Sequence, residues 1–298
     1  MAILPFASDL LPTESPLDSG ISVVHLTQTN WSAECLNRGE ETIGLNPPTK
    51  LMATITALGI PHLEKIMLSR LLFASALLAL CFNAQTSAQD KDNPATKLLN
   101  RDIGRHKQFL KIVAKGDADV IFIGDSITEG WEGAGKKVWA EDFAPLKAVN
   151  LGIGGDQTGH VLWRITEGKE LEPIKPKVAV IMIGTNNGHS AEQVAGGIKA
   201  IVEELRKQKP EMKILLLGIF PRSPKATDSV RDKIKTTNGI IAKLDDGKNV
   251  FYKDIGEKFL EKDGTLDKKI MPDYLHLSPE GYEIWGNAIK DDVAKLLK

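Results

Sequence analysis

Ser126, Asp273 and His276 are residues whose types and spacing could carry covalent catalysis. A serine hydroxyl is a weak nucleophile at neutral pH and needs an adjacent base. His276 offers an imidazole, and Asp273, three residues earlier, can turn its carboxylate onto one ring N–H. That contact sets the tautomer and leaves the other ring nitrogen free to take the serine proton. Activity should then fall on the acid side as the imidazole becomes protonated. Ser126 follows Gly124-Asp125, where the glycine permits a sharp turn. Two further motifs supply donors. Gly152-Ile153-Gly154-Gly155-Asp156 can aim backbone N–H groups into a site, and Gly184-Thr185-Asn186-Asn187 adds side-chain amides. The N–H groups of Ser126 and Gly155 and the amide of Asn186 make a candidate oxyanion hole. Each motif alone has a plainer reading as a helix cap, a tight turn or a loop-fixing amide. Together they supply nucleophile, base, orienting carboxylate and oxyanion donors.

Other chemistries fit less well. The stretch GDSITEGW lacks the lysine and the glycine run of a phosphate-binding loop. GIGGD does not complete a dinucleotide fingerprint, because position 157 is Gln157. His25, His62 and His106 read as surface residues, and His160 and His189 as residues at a site rim.

These motifs need elements that bring them together. Apolar runs at Val120–Ile123, Ala148–Leu151, Val178–Ile183, Ile214–Leu217 and Val250–Tyr252 read as buried strands. The first four are followed by GDS, GIGGD, GTNN and GIFPR. Helical spacing runs through Gly159–Thr166, Ala191–Lys207 and Val230–Leu244, with Ser190 as a cap. Ser278-Pro279-Glu280 opens a last helix that runs to the C-terminus. Continuously apolar strands alternating with helices predict a parallel sheet covered on both faces. Ligands should then sit beyond the carboxyl ends of the strands.

The N-terminal part reads differently. Arg70 is followed by an apolar run from Leu71 to Phe82 and then by small and polar residues. This is the order of a secretory signal peptide, and the run is too short for a bilayer-spanning helix. Residues 67–88 are expected to be cleaved after Ala88, with Met67 as the true start. Residues 1–66 are then a mis-assigned or disordered extension, and residues 89–298 form one exported domain, periplasmic or secreted. That domain holds 34 basic and 32 acidic residues, a net charge of +2, and neither Cys35 nor Cys81. Lipidation at Cys81 is the lesser alternative, because Leu80 before it is bulky.

The whole chain of 298 residues is 42% hydrophobic with a net charge of −1, which excludes global disorder and offers no basic excess for nucleic acid. Two cysteines are too few for a disulfide scaffold or a zinc ribbon.

GDS, a glycine motif, GTNN and DxxH, in this order from about Asp119 to the last helix, resemble the SGNH hydrolases, or GDSL-type esterases. Asn150–Ile165, Ile174–Val178, Gly184–Asn187, Val194–Ile198 and Asp273–Leu277 are similar to blocks of the catalytic subunits of intracellular platelet-activating factor acetylhydrolases. The resemblance implies a flavodoxin-like three-layer α/β/α sandwich with no metal or organic cofactor. It implies Ser126 as nucleophile, Asp273 and His276 as acid–base pair, and Gly155 and Asn186 as oxyanion donors. It also implies an acyl pocket at Ile127, Thr185 and Leu275, small enough to favour acetyl, and a homodimer.

Two departures bear on substrate. The relatives are cytosolic, and Thr128-Glu129-Gly130-Trp131 differs from theirs. Carbohydrate esters therefore stand beside other small-molecule esters as candidates, with Trp131 either a sugar-stacking platform or a structural tryptophan. A lysophospholipase or thioesterase on longer chains, and a non-catalytic carbohydrate-binding protein, are the alternative readings.

Overall fold

The computed structural model describes residues 92–298. The expected leader at 67–88 and the segment 1–66 lie outside the described residues. Five strands form one parallel sheet: β1 (Val120–Gly124), β2 (Ala148–Gly152), β3 (Val178–Met182), β4 (Lys213–Leu217) and β5 (Val250–Lys253). Their order is β2-β1-β3-β4-β5, the flavodoxin-like order, whose direction switches at β1 and β3. The register is direct, with Gly124 opposite both Gly152 and Met182, so the β1–β3 strand ends lie side by side.

Among the described residues these α-helices of four residues or more flank the sheet: α1 (Gly104–Val113), α2 (Ser126–Glu129), α3 (Thr158–Ile165), α4 (Ala191–Gln208), α5 (Ser229–Ile241) and α6 (Pro279–Leu296). Short helical turns, among them the run Lys136–Leu146, fill the gaps. The period-two alternation of the strands feeds two cores. Ile121, Ile123, Ala179, Ile181, Ile214 and Leu216 pack with apolar residues of α1, α3, α4 and α5. Val120, Phe122, Val178, Val180, Leu215 and Leu217 pack against Trp131, Phe143 and the α6 residues Tyr282, Trp285, Ile289 and Val293. The result is the three-layer sandwich that the strand pattern implied.

Local signals set the helix starts. The Ser190 and Ser278 hydroxyls accept the Gln193 and Gly281 N–H groups, capping α4 and α6. No helix among the described residues is long and apolar enough to cross a membrane.

The structure decides one open sequence reading, at Trp131, and corrects another, at His106. Trp131 is fully buried (0% exposed) and its ring meets Phe122, Trp139, Phe143, Tyr282 and Trp285. It is therefore an aromatic-core residue with no face for a sugar. His106 is buried too, hydrogen-bonded to Glu170 at 2.9 Å and edge-on to Trp163, so it is no surface residue.

Candidate active site

The site is assembled at the carboxyl edge of the sheet from the segments after β1, β2 and β3 and the one before α6. Asp125 caps α2: its carboxylate accepts the Ile127 N–H at 3.0 Å and puts Ser126 at the first helical position. There the Ser126 N–H belongs to the orphan donors of a helix start. The Ser126 hydroxyl lies 2.9 Å from His276 Nε2, across 150 residues of sequence.

Asp273 holds the other side of the imidazole. Its Oδ2 lies 2.6 Å from His276 Nδ1, and its Oδ1 accepts the backbone N–H groups of His276 at 2.7 Å and Leu275 at 3.0 Å. A carboxylate can only accept, so Nδ1 carries the proton and Nε2 is left to accept from the serine hydroxyl. Tyr274 makes this reversal with a left-handed backbone, φ 59°. Partial burial would raise the Asp273 carboxyl, but its hydrogen bonds to the His276 ring and to two backbone N–H groups outweigh that and hold it at about 2. It is thus an anion at neutral pH.

Gly155 and Asn186 face the same edge. Gly155 is in the left-handed region at φ +78°, and its N–H has no partner among the described residues. The Asn186 NH₂ donates to the Asp156 carbonyl at 3.1 Å, which fixes the amide's orientation and ties the β3 loop to the β2 loop. Glu129 accepts the Gly154 N–H at 2.6 Å. Arg101 grips the same loop twice, at the Gly154 carbonyl (2.6 Å) and Asp156 Oδ1 (2.7 Å). Beneath it Arg164, fully buried, bonds Asp156 at 2.6 Å and Glu170 at 2.6 and 2.9 Å. Gly152 allows β2 to pass close to α2, since a Cβ there would meet the Glu129 backbone N at 2.2 Å.

The three expected acyl-pocket residues divide. Thr185 and Leu275 are partly exposed beside the site. Ile127 is 1% exposed and packs in the core with Phe122 and Trp131, so it presents almost no surface to a ligand. His160 caps α3 by accepting the Gln157 N–H, and His189 contacts the Asn187 amide. Neither makes a hydrogen bond to Ser126, Asp273 or His276.

Sequence reasoning gave no role to Arg101, Glu129, Asp156, Arg164, Glu170 or Asp125. One signal was available: Arg164 stands on the helix face shared with Val161 and Ile165, where a charge must be paired. Asp125 is the other unusual group. It is fully buried, its Oδ2 has no partner among the described residues, and burial raises its carboxyl to about 7.

The sequence profile of the GDSL-like lipase/acylhydrolase family matches residues 122–284, which span all of these motifs. The chain belongs to this family. Subunit alpha1 of platelet-activating factor acetylhydrolase IB from Bos taurus is 38% identical over 216 residues, covering 69% of this chain and 91% of that one. Subunit alpha2 from Gallus gallus is 41% identical over 184 residues, covering 61% and 79%. Among solved structures, a GDSL-like lipase from Bacteroides thetaiotaomicron superposes with a TM-score of 0.52 at 23% identity, covering 64% and 97%. The acetyl xylan esterase AlAXEase superposes at 0.50 with 22% identity, covering 58% and 98%. These two establish likeness of fold. As a GDSL acylhydrolase the protein is a carboxylic ester hydrolase.

Proposed function

We propose that this GDSL acylhydrolase cleaves short-chain oxygen esters, acetyl above all, through an acyl-enzyme on Ser126. The observation that carries the reading is the hydrogen-bonded line Ser126–His276–Asp273 beside the Gly155 N–H and the Asn186 amide. Ser126 Oγ attacks the ester carbonyl as His276 Nε2 takes its proton. Gly155, Asn186 and the Ser126 N–H hold the oxyanion. Collapse breaks the C–O bond, and His276 returns the proton to the leaving alkoxide. Water then attacks the acyl-serine with His276 again as base. The carboxylic acid leaves and the Ser126 hydroxyl is restored.

The acetylhydrolase names of the relatives support acetyl as the acyl group and favour a lipid alcohol. Burial of Trp131 removes the aromatic platform on which a carbohydrate reading would lean. Residues 89–298 are proposed as the exported mature domain. A homodimer is proposed from the resemblance.

The test is hydrolysis of p-nitrophenyl acetate, butyrate and octanoate by the purified protein and by Ser126→Ala. Acetate should be preferred and its turnover abolished in the variant. Preference for octanoate would move the reading to a lipase or thioesterase, and serine-independent turnover would remove Ser126 as nucleophile. Acetylated glycerolipid and acetylated xylo-oligosaccharide, compared next, separate the two alcohol classes.

A further inference from the structure

The GIFPR segment after β4 has no part in the chemistry above, yet it reaches the site. Arg222 is partly buried. Its Nη1 donates to the Thr185 carbonyl at 3.2 Å and lies 3.5 Å from the Thr185 hydroxyl, one residue from Asn186. Among the described residues those are the only hydrogen-bond partners of its side chain, and both are neutral. Among the described residues no carboxylate lies within ion-pair distance of it. A guanidinium carries five donors, and here most of them are unclaimed.

The backbone that presents it is built. Arg231 donates to the Arg222 carbonyl at 2.6 Å and to the Ser223 carbonyl at 3.0 Å. The Ser223 N–H donates to the Tyr274 carbonyl at 2.9 Å, and both residues adopt left-handed backbone, φ 71° and 59°. The segment is thereby tied to the loop that carries Asp273 and His276. The charges around it do not neutralise it. Asp125 is near enough to be influenced by Arg222, but burial keeps that carboxyl largely protonated below about pH 7. Lys233, whose ammonium donates to the Asn187 carbonyl at 2.7 Å, adds a second cation on the same side. Asp273 is committed to His276. A partly buried cation beside Thr185 and Asn186, bonded among the described residues to neutral oxygens, is poised for an anion that arrives with the substrate.

We propose that Arg222 is a specificity residue that recognises an anionic oxygen group, carboxylate or phosphate, carried by the ester substrate. This rests on the hydrolase reading above and narrows its substrate class to anionic esters. The charged group can belong to the leaving alcohol or to the far end of the acyl chain, and two substrate pairs separate these. On the alcohol side, 4-acetoxybenzoate is compared with neutral 4-acetoxybenzamide. On the acyl side, phenyl hemisuccinate is compared with neutral phenyl succinamate.

In the unmodified enzyme, kcat/KM should favour the anionic member of one pair. Arg222→Gln should lower that anionic-to-neutral ratio by about tenfold or more, the range of a charge-assisted hydrogen bond, and Arg222→Lys should keep part of it. Raising salt should shrink the same ratio in the unmodified enzyme, which tests the idea without any variant. Ratios that move less than about twofold in Arg222→Gln, even if all rates fall together, would make Arg222 merely structural and overturn the proposal. So would a preference for the neutral member of both pairs. Loss of serine dependence on all four esters would instead remove the hydrolase reading itself.

Discussion

Asp125 shows how one residue beside Ser126 can carry two opposing demands. Its Oδ1 caps α2 and so orients Ser126, while its Oδ2 is buried without a partner. Burial lifts the carboxyl from 3.8 to about 7, with the neighbouring Asp156 pushing the same way and Arg222 and His276 opposing it. The folded state therefore binds this proton more tightly than the unfolded chain. The associated stability is full below the ordinary carboxyl value, falls as pH rises to about 7 and is constant above. Asp125→Asn keeps a capping oxygen and cannot ionise. Relative to the parent, the variant should gain a few kcal/mol of unfolding free energy between pH 4 and pH 8, about 4 at most. Urea unfolding at pH 4, 6 and 8 checks this, and a variant-minus-parent difference that is flat with pH would show that Asp125 titrates as an ordinary carboxyl.

Among the elements, the loop from β2 to α3 is the one on which the proposed oxyanion geometry depends. Glu129 pulls on it from α2, Arg101 from the segment ahead of α1, and Arg164 from α3. Arg101→Gln should loosen the Gly154–Asp156 turn and lower kcat for p-nitrophenyl acetate about tenfold or more with little change in KM, since misplacement is felt mainly in the transition state. An unchanged kcat would mean that Glu129 and Arg164 suffice. Most of the scaffold for this loop was legible in the residues. Four of the strands carry apolar runs that lead into a glycine, at Gly124, Gly152, Gly184 and Gly218, β5 is a shorter run, and the serine caps of α4 and α6 fall where the polar-to-apolar change predicts them. The helix α1 was not legible. Its sequence GRHKQFLKIV is more polar than apolar on average, and Ile103 at its start offers no capping side chain. It is held in place by tertiary packing of Phe109 and Val113, which no local pattern announces.

At the scale of the whole molecule, a line of charge runs Arg101–Asp156–Arg164–Glu170 beneath the site, and His106 hydrogen-bonds its buried end at Glu170. Arg164, Asp156 and Glu170 have 0% exposed side chains, so removing one leaves its partners charged in a low-dielectric interior. Arg164→Met should cost about 3–5 kcal/mol in urea unfolding. Trp131→Ala, which empties the centre of the aromatic cluster, should cost about 3–5 kcal/mol as well. A loss below about 1 kcal/mol in either would mean that the interior relaxes around the change. The site motifs stood out in the sequence because glycines, paired amides and DxxH are compact. The charge line did not, because its members are scattered from 101 to 170 and meet only in the folded chain. A longer separation divides the proposed nucleophile from its base. The Ser126 hydroxyl finds its base 150 residues later, and the Tyr282 hydroxyl closes onto the Ile127 carbonyl across 155. With Ser126 and His276 acting as proposed, a chain emerging from the ribosome hydrolyses nothing until the segment bearing His276 has been made and has docked. In refolding experiments, turnover should never return before the fluorescence change that reports burial of Trp131 and Trp285. On the proposed triad, catalytic competence is a readout of completed folding, and a product truncated before Asp273 is expected to be inert.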